Sequence, residues 1–343
     1  PPETGLYAAL VAPLAYAVFG TSRQLNVGPS STVAVLSFSI VAGLAAGSSD
    51  PSTFYALTAG LAILTGAFFV VAGLAKLGFL ADFMSKPVLD GFIVGLAVTI
   101  AAGQLHKLFG IHETGDNFFG DIAAVITNLN EAVLATIVIG FGSLVFLFLL
   151  ERVMPRIPAA LVVTFLAIIV VSALDLTGEG VEVIGTIPAG LPSLEWPDIT
   201  LGQWVSLIPG AVAIVVVGFA ESVAAARTYA RKHDYKVDAN QEMIGVGASN
   251  LATGIVGAFV VDGSLSKTAA ADQAGQKTQF ASVALTAAVF ITILFLTGLF
   301  ANLPEATLGA IVIHAVWHLI DLHKVGRYWA LRRNDFWAGA AAL

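Results

Sequence analysis

Cysteine is absent from all 343 residues, which excludes disulfide staples, thiol catalysis and thiolate-bound metals. Charge is nearly as scarce: Asp, Glu, Lys and Arg make up 11% of the chain, against about one-quarter in ordinary soluble domains. There is no P-loop, no Gly-x-Gly-x-x-Gly followed by an acid and no His-Glu-x-x-His, so neither nucleotide chemistry nor a zinc peptidase is indicated. The 34 glycines follow no Gly-X-Y period and no apolar heptad is sustained, which excludes collagen-like and coiled-coil chains. What remains is apolar: 57% of the residues are hydrophobic and mean hydropathy is +0.87. The class is an all-α polytopic membrane protein.

A helix needs about twenty apolar residues to cross a bilayer, because every backbone polar group must find an internal partner there. Charge-free runs of that order are Thr4–Ser22, Gln24–Ser49, Phe54–Ala75, Ala132–Leu150, Ile157–Leu174, Ile199–Ala220, Met243–Val261 and Thr278–Pro304. Met84–Leu105, Glu305–Ile320 and the short Phe336–Leu343 are less clean. The segment Ser264–Ala274 is a puzzle, since it carries Lys267 and Asp272 and is half the length of a span. If it and Gln24–Ser49 each count as one crossing, the loops alternate in charge. Fourteen Lys and Arg then fall on one side and Lys107 alone on the other, with Lys267 inside the membrane, which accounts for all 16. Basic residues concentrate on the cytoplasmic side, so the basic loops are expected there. The acidic loops holding Glu113, Glu179 and Glu195 are expected outside.

Two segments share small, hydroxyl-rich character: Gly28-Pro29-Ser30-Ser31-Thr32-Val33-Ala34 and Gly263-Ser264-Leu265-Ser266-Lys267-Thr268-Ala269. Each follows an apolar, extended-looking stretch, Leu25–Val27 in one case and Phe259–Val261 in the other. Each opens a helical pattern, and the loop count points the two helices in opposite directions. Pro at a first helical position, Ser at caps and Gly at a break are helix-start signals. A helix that begins inside a bilayer leaves its first N–H groups unpaired and carries partial positive charge there. Two such starts make an anion site, as in inverted-repeat transporters. The binding candidates are therefore Ser30, Ser31, Ser264, Ser266 and Lys267.

Lys267 adds a full positive charge, which is costly in mid-bilayer unless a cavity, an anion or an acid accompanies it. A bland alternative is that Lys267 snorkels to an interface. Glu221 ends the run Ile199–Ala220 and is a candidate proton carrier or cation ligand, or else a salt-bridge partner of Arg227 or Lys267. Asp262 and Asp272 flank the short helix as cap or interface residues. His314 and His318 have metal-compatible spacing but no third ligand, so no metal is expected. No acid pair or Ser/His arrangement at membrane depth is legible, and an enzyme is not indicated.

These residues resemble the sulfate permease (SulP) family of anion transporters, which includes the motor protein prestin. The resemblance rests on Gly5-Leu6-Tyr7 with Pro13, Phe19-Gly20-Thr21-Ser22-Arg23 before Val27-Gly28-Pro29, Ile187-Pro188-Ala189-Gly190-Leu191-Pro192, Ala220-Glu221-Ser222, Asn240-Gln241-Glu242 and Gly263-Ser264-Leu265-Ser266-Lys267-Thr268. It implies an inverted repeat of seven plus seven segments divided into a core domain (1–83 and 201–303) and a gate domain (84–200 and 304–343). It also implies anion binding between the half-helix starts, with Ser30 facing the anion and Ser266 and Lys267 beside it, and places Glu221 at an acidic position linked to a coupling ion. The family commonly has Arg where this chain has Lys267, which keeps the charge but loses a bidentate fork.

The chain starts Pro1-Pro2-Glu3-Thr4 and stops within an apolar run. It is expected to be a piece of a longer protein that lacks the family's first helix and C-terminal STAS domain. The expected function is secondary active transport of a small anion, most simply sulfate, with H+ or Na+ as a coupling ion. Bicarbonate, chloride or dicarboxylate exchange, an anion channel and a voltage-responsive motor are the alternatives. No cofactor and no nucleic acid are implied; the expected partners are the anion, the lipid bilayer of the plasma or inner membrane, and a second copy in a homodimer.

Overall fold

The computed structural model describes residues 3–45, 50–82, 86–112, 118–155 and 157–317. Among these, four helices are long and apolar enough to span a membrane: Ser52–Leu74, Leu134–Val153, Leu201–Lys232 and Phe280–Phe300. Shorter apolar helices accompany them, and the only paired strands among the described residues are two of three residues each. The chain divides into two compact units, one of Pro1–Met84 with Pro188–Phe295 and the other of Ser85–Ile187 with Leu296–Leu343.

The first unit begins with α1 (Glu3–Phe19), β1 (Asn26–Gly28), α2 (Ser31–Ala45) and α3 (Pro51–Leu74). Asp50 caps α3, its carboxylate accepting from Ser52 N at 2.9 Å, and Pro51 sits at the first helical position, where its missing N–H costs nothing. The second unit holds α4 (Lys86–Gly103), α5 (Leu105–Phe109), α6 (Phe118–Thr127), α7 (Leu134–Val153) and α8 (Ala159–Leu174). Gly110 closes α5 in the left-handed region at φ 70° and also packs closely, since a Cβ there would stand 3.1 Å from Thr136 Oγ1. The chain returns to the first unit with α9 (Leu201–Lys232), α10 (Ala239–Ile255), β2 (Asp262–Ser264), α11 (Leu265–Gln273) and α12 (Phe280–Ile291), before α13 (Glu305–Trp317) in the second. Thr200 and Gln203 form a capping box at the start of α9.

Helices α3 and α10 pack backbone to backbone. A Cβ on Gly66 would stand 2.7 Å from Leu251 N and 2.8 Å from Gly247 O, and one on Gly247 would stand 2.9 Å from Gly66 O. Small residues allow this approach, which suits an apolar environment where burial alone does not drive helices together.

Two charge-free runs hold the extended stretches expected within them. In the first, β1 and the 15-residue α2 are separated at Pro29, which has no N–H to continue a regular element. Met243–Val261 leaves the helix at Ile255, turns at Gly257 (φ 69°) and runs extended into β2.

The turn between α1 and β1 is fixed by Glu242, which is completely buried in the first turn of α10. Its carboxylate accepts from Tyr16 OH, from Thr21 N (2.8 Å) and Oγ1, and from Ser22 N (3.0 Å). Its neighbours bind nearby backbone: Gln241 Nε2 donates to Phe19 O (2.7 Å) and Asn240 Oδ1 accepts from Gly78 N (2.8 Å). The Asn240-Gln241-Glu242 motif is thus a clamp on backbone. Glu242→Ala is expected to lower the thermal unfolding midpoint of purified protein by more than Tyr16→Phe does, since each buried donor left unpaired costs roughly 1–3 kcal/mol. Equal midpoints for the two variants would contradict the clamp.

Candidate functional site

The two half-helix segments are joined by their own backbones. β1 and β2 pair antiparallel, with Asn26 opposite Ser264, Val27 opposite Gly263 and Gly28 opposite Asp262. Each strand feeds a helix almost at once: β2 leads directly into α11 and β1 reaches α2 after Pro29 and Ser30. The antiparallel register explains how two similar segments launch helices in opposite senses.

Side chains complete the pairing that so short a ladder leaves undone. Asn250 on α10 acts as a substitute strand: its Nδ2 donates to Val261 O (2.8 Å) and its Oδ1 accepts from Val261 N (3.0 Å). Ser222 Oγ on α9 accepts from Gly263 N at 2.8 Å. Thr268 Oγ1 accepts from Asn26 N (3.0 Å) and donates to Ser264 O (2.6 Å), tying the first turn of α11 to β1. After α11, Gln276 Nε2 donates to Arg23 O and Gln24 O, and Gln279 Nε2 to Ser22 O and Leu25 O. Gly263 is required by space, because a Cβ there would lie 2.9 Å from both Leu25 methyls and from Ser222 Oγ.

The candidate residues divide clearly. Ser264 caps α11, its Oγ accepting from Lys267 N at 3.4 Å and sharing a 3.1 Å hydrogen bond with Ser266 Oγ. Ser30 Oγ is buried without a protein partner, directly before α2, while Ser30 O accepts the first helical bond from Ala34 N (3.0 Å). Ser31 opens α2. Lys267 reaches across the ribbon: its Nζ donates to Pro29 O at 2.6 Å and lies 3.4 Å from where a Cβ on Gly28 would sit. Lys267 thus connects the start of α11 to the start of α2, and Ser30, Pro29 and Lys267 form one polar cluster.

Glu221 sits on α9 one helical turn after Gly218, which lies against β2: a Cβ on Gly218 would stand 3.7 Å from Asp262 Cβ, an ordinary contact distance. Glu221 and Asp262 are 41 residues apart in sequence, and β2 returns alongside α9, where Ser222 Oγ holds Gly263 N; Thr32 and Asp262 are the neighbours of the Glu221 carboxyl. Asp262 is completely buried, and neither carboxylate oxygen has a hydrogen-bond partner. Asp272 is paired with Lys232 and His233 at the end of α9.

Sequence reasoning missed Asp262 as a site residue, and also Thr32, Ser222, Asn250 and Thr268. Asp262 carried one usable signal, an acid directly before the Gly-Ser-Leu-Ser-Lys start of a half-helix. In the second unit His314 lies 2.8 Å from Glu151 and against the Phe148 ring; His318, its proposed i+4 partner, lies outside the described residues.

The model of the sulfate permease family matches residues 1–342. A probable sulfate transporter of Mycobacterium tuberculosis is 37% identical over 98% of this chain and 60% of its own length. Probable sulfate transporter 3.3 of Arabidopsis thaliana is 33% identical, with 98% and 55% covered. The chain therefore spans about 60% or less of the length of these curated relatives. Among solved structures, the murine Slc26a9 anion transporter in its inward-facing state superposes with a TM-score of 0.89 at 26% identity, covering 100% of this chain and 59% of that one. The transmembrane domain of a cyanobacterium bicarbonate transporter, BicA, superposes at 0.88 with 22% identity over 99% and 86%, a likeness of fold.

Asn250→Ala would leave the buried Val261 N–H and C=O without partners, at roughly 1–3 kcal/mol each. The variant is expected to lower the unfolding midpoint and to weaken anion binding together, because the ribbon positions the site. A lowered midpoint with unchanged binding would separate the ribbon from the site.

Proposed function

Because the chain belongs to the sulfate permease family, and so to transporters rather than enzymes, we propose that it is the membrane domain of a secondary active transporter of small oxyanions, with sulfate the leading substrate. The observation that carries this reading is the Lys267 bridge between two helix starts, beside the buried and unpartnered hydroxyl of Ser30. One ammonium, one free hydroxyl donor and two helix N-termini are what a compact oxyanion needs in a site short of water. Ser31, Ser264 and Ser266 line the same starts, with Ser264 and Ser266 already bonded to each other. The unit built on α1–α3 and α9–α12 holds the whole cluster and serves as the core; the unit built on α4–α8 and α13 serves as the gate against which it moves. Glu221 is the coupling residue, carrying H+ or Na+ alongside the anion. The full-length protein works as a homodimer in the plasma or inner membrane, with its basic loops cytoplasmic.

In proteoliposomes the full-length protein is expected to accumulate labelled sulfate in preference to bicarbonate, chloride and dicarboxylates. Transport of none of the four would overturn the proposal. Lys267→Ala should weaken sulfate binding at least about tenfold, a loss of roughly 1.4 kcal/mol, and Lys267→Glu more strongly still. Equal affinities for the wild type and both variants would remove Lys267 from the site.

Sidedness is open to a direct check, since the chain has no native cysteine. Asp234→Cys, in the basic loop after α9, should react with an impermeant maleimide from the cytoplasmic side only, and Glu179→Cys from the opposite side only. The reverse pattern would invert the topology.

A further inference from the structure

One end of the first unit gathers basic residues from four separate stretches of chain, and each stretch is tied to the turn at residues 19–24. Arg23 belongs to that turn, and its guanidinium lies 5.1 Å over the Tyr235 ring. Tyr235 OH accepts from Arg23 N (3.1 Å) and donates to Gln24 Oε1, which pins the loop carrying Lys236 beside the turn. Arg231 and Lys232 lie in the last turn of α9, just before this loop. Lys277 follows Gln276, whose amide donates to Arg23 O (3.1 Å). Lys76 precedes Gly78, whose N–H is held by Asn240, and Asn240 stands two residues before Glu242, the acceptor for the turn's own amides.

The acids at this end are mostly committed. Asp272 is bonded to Lys232 and His233, Asp238 caps α10 through Asn240 N and Gln241 N, and Glu242 is buried. Among the described side chains here that leaves Asp234, exposed alongside Arg23, Lys76, Arg231, Lys236 and Lys277, which are exposed as well.

Depth in the bilayer points to the partner. The 32 residues of α9 extend roughly 48 Å at 1.5 Å per residue, against a hydrocarbon core of about 30 Å. Trp204, ring to ring with Trp196 at 6.0 Å, suits the headgroup boundary at the other end of α9, so Arg231 and Lys232 emerge among the headgroups at this one. Beside Lys76, directly after the span Ser52–Leu74, a short 3-10 stretch turns Phe79 and Leu80 outward, 53% and 44% exposed. Exposed apolar side chains next to ammonium and guanidinium groups match a layer in which phosphates lie above acyl chains.

We propose that this end of the first unit is a docking surface for the headgroups of anionic phospholipids, with the phosphates against Arg23, Arg231, Lys236 and Lys277 and the acyl chains against Phe79 and Leu80. The surface is partly preorganised, since Arg23 is stacked on a tyrosine that is itself held by three hydrogen bonds. The turn it occupies leads into β1, so a bound headgroup steadies the strand that positions Ser30 and Lys267. The inference needs only that the chain lies in a bilayer and holds whichever anion is carried.

The test titrates full-length protein in neutral detergent with phosphatidylglycerol and, for comparison, phosphatidylcholine, with bound lipid read by native mass spectrometry. Phosphatidylglycerol should bind in preference and more weakly as salt is added. Arg23→Gln, Lys236→Gln and Lys277→Gln should each weaken its binding about fivefold, as expected for one basic residue near a charged surface. Lys236 and Lys277 are exposed outside helices, so a folding defect in Arg23→Gln still leaves two variants to decide the matter. Arg152→Gln, at the end of α7, should change binding less than twofold. No preference between the lipids, unchanged affinity in the variants, or an equal loss in Arg152→Gln would overturn the proposal. Glycerol phosphate, the same headgroup chemistry without acyl chains, should fail to displace the lipid at equal concentration; displacement would make this a site for soluble phosphates and also overturn it. Polyglutamate binding without any preference for phosphatidylglycerol would do the same in favour of an acidic protein. None of these readouts requires transport, so a protein that moves no sulfate would sink the transport reading and leave this one standing.

Discussion

Everything in the first unit follows from one constraint: a chain that breaks its helices away from water must still satisfy each exposed N–H and C=O. Orphaned groups there cost several kcal/mol apiece. The two breaks, at Gly28-Pro29 and at Asp262-Gly263, solve this together by pairing with each other. A three-residue ladder has too few hydrogen bonds of its own, so the unit surrounds it with side chains that imitate backbone. Asn250 serves both polar groups of Val261, Ser222 takes the N–H of Gly263, and Thr268 and Gln279 reach Asn26, Ser22 and Leu25.

The constraint also separates the buried acids into two kinds. Glu242 and Asp262 are equally inaccessible, yet one accepts four hydrogen bonds and the other none. A carboxylate saturated with donors at a helix N-terminus is a structural part, kept in one place. Asp262, with no donor on either oxygen, has no such structural role. Burial alone does not distinguish the two; the donor inventory does.

Much of this was legible in the residues. The scarcity of charge announced a membrane protein, the two Gly-Pro-Ser and Gly-Ser-Leu-Ser segments marked the helix starts, and Lys267 stood out as the one basic residue without a loop to belong to. What was not legible is contact over long separations. Pairing of residues 26–28 with 262–264 leaves no trace in either segment, since three residues are too few for alternation to register. The nearness of the two acids was hidden for the same reason: Glu221 and Asp262 each look like an isolated charge at the end of an apolar run. Asn240-Gln241-Glu242 was visible as a motif but silent about its role, because its partners are backbone groups near Phe19 and Ser22, which carry no side-chain signature.

The two half-helices also share their labour unequally, and the reason lies in their caps. α11 is short and polar, and its opening serines are committed: Ser264 caps the helix and holds Ser266. α2 has Pro29 before it, whose carbonyl takes the Lys267 ammonium, and Ser30, whose hydroxyl has no partner. One start therefore supplies the charge and the other the open donor, with the lysine lying across the ribbon between them. A second lysine at α2 would have made a stronger anion trap, but also one that held its cargo. A single ammonium held on the Pro29 carbonyl joins the two starts and leaves the Ser30 hydroxyl open.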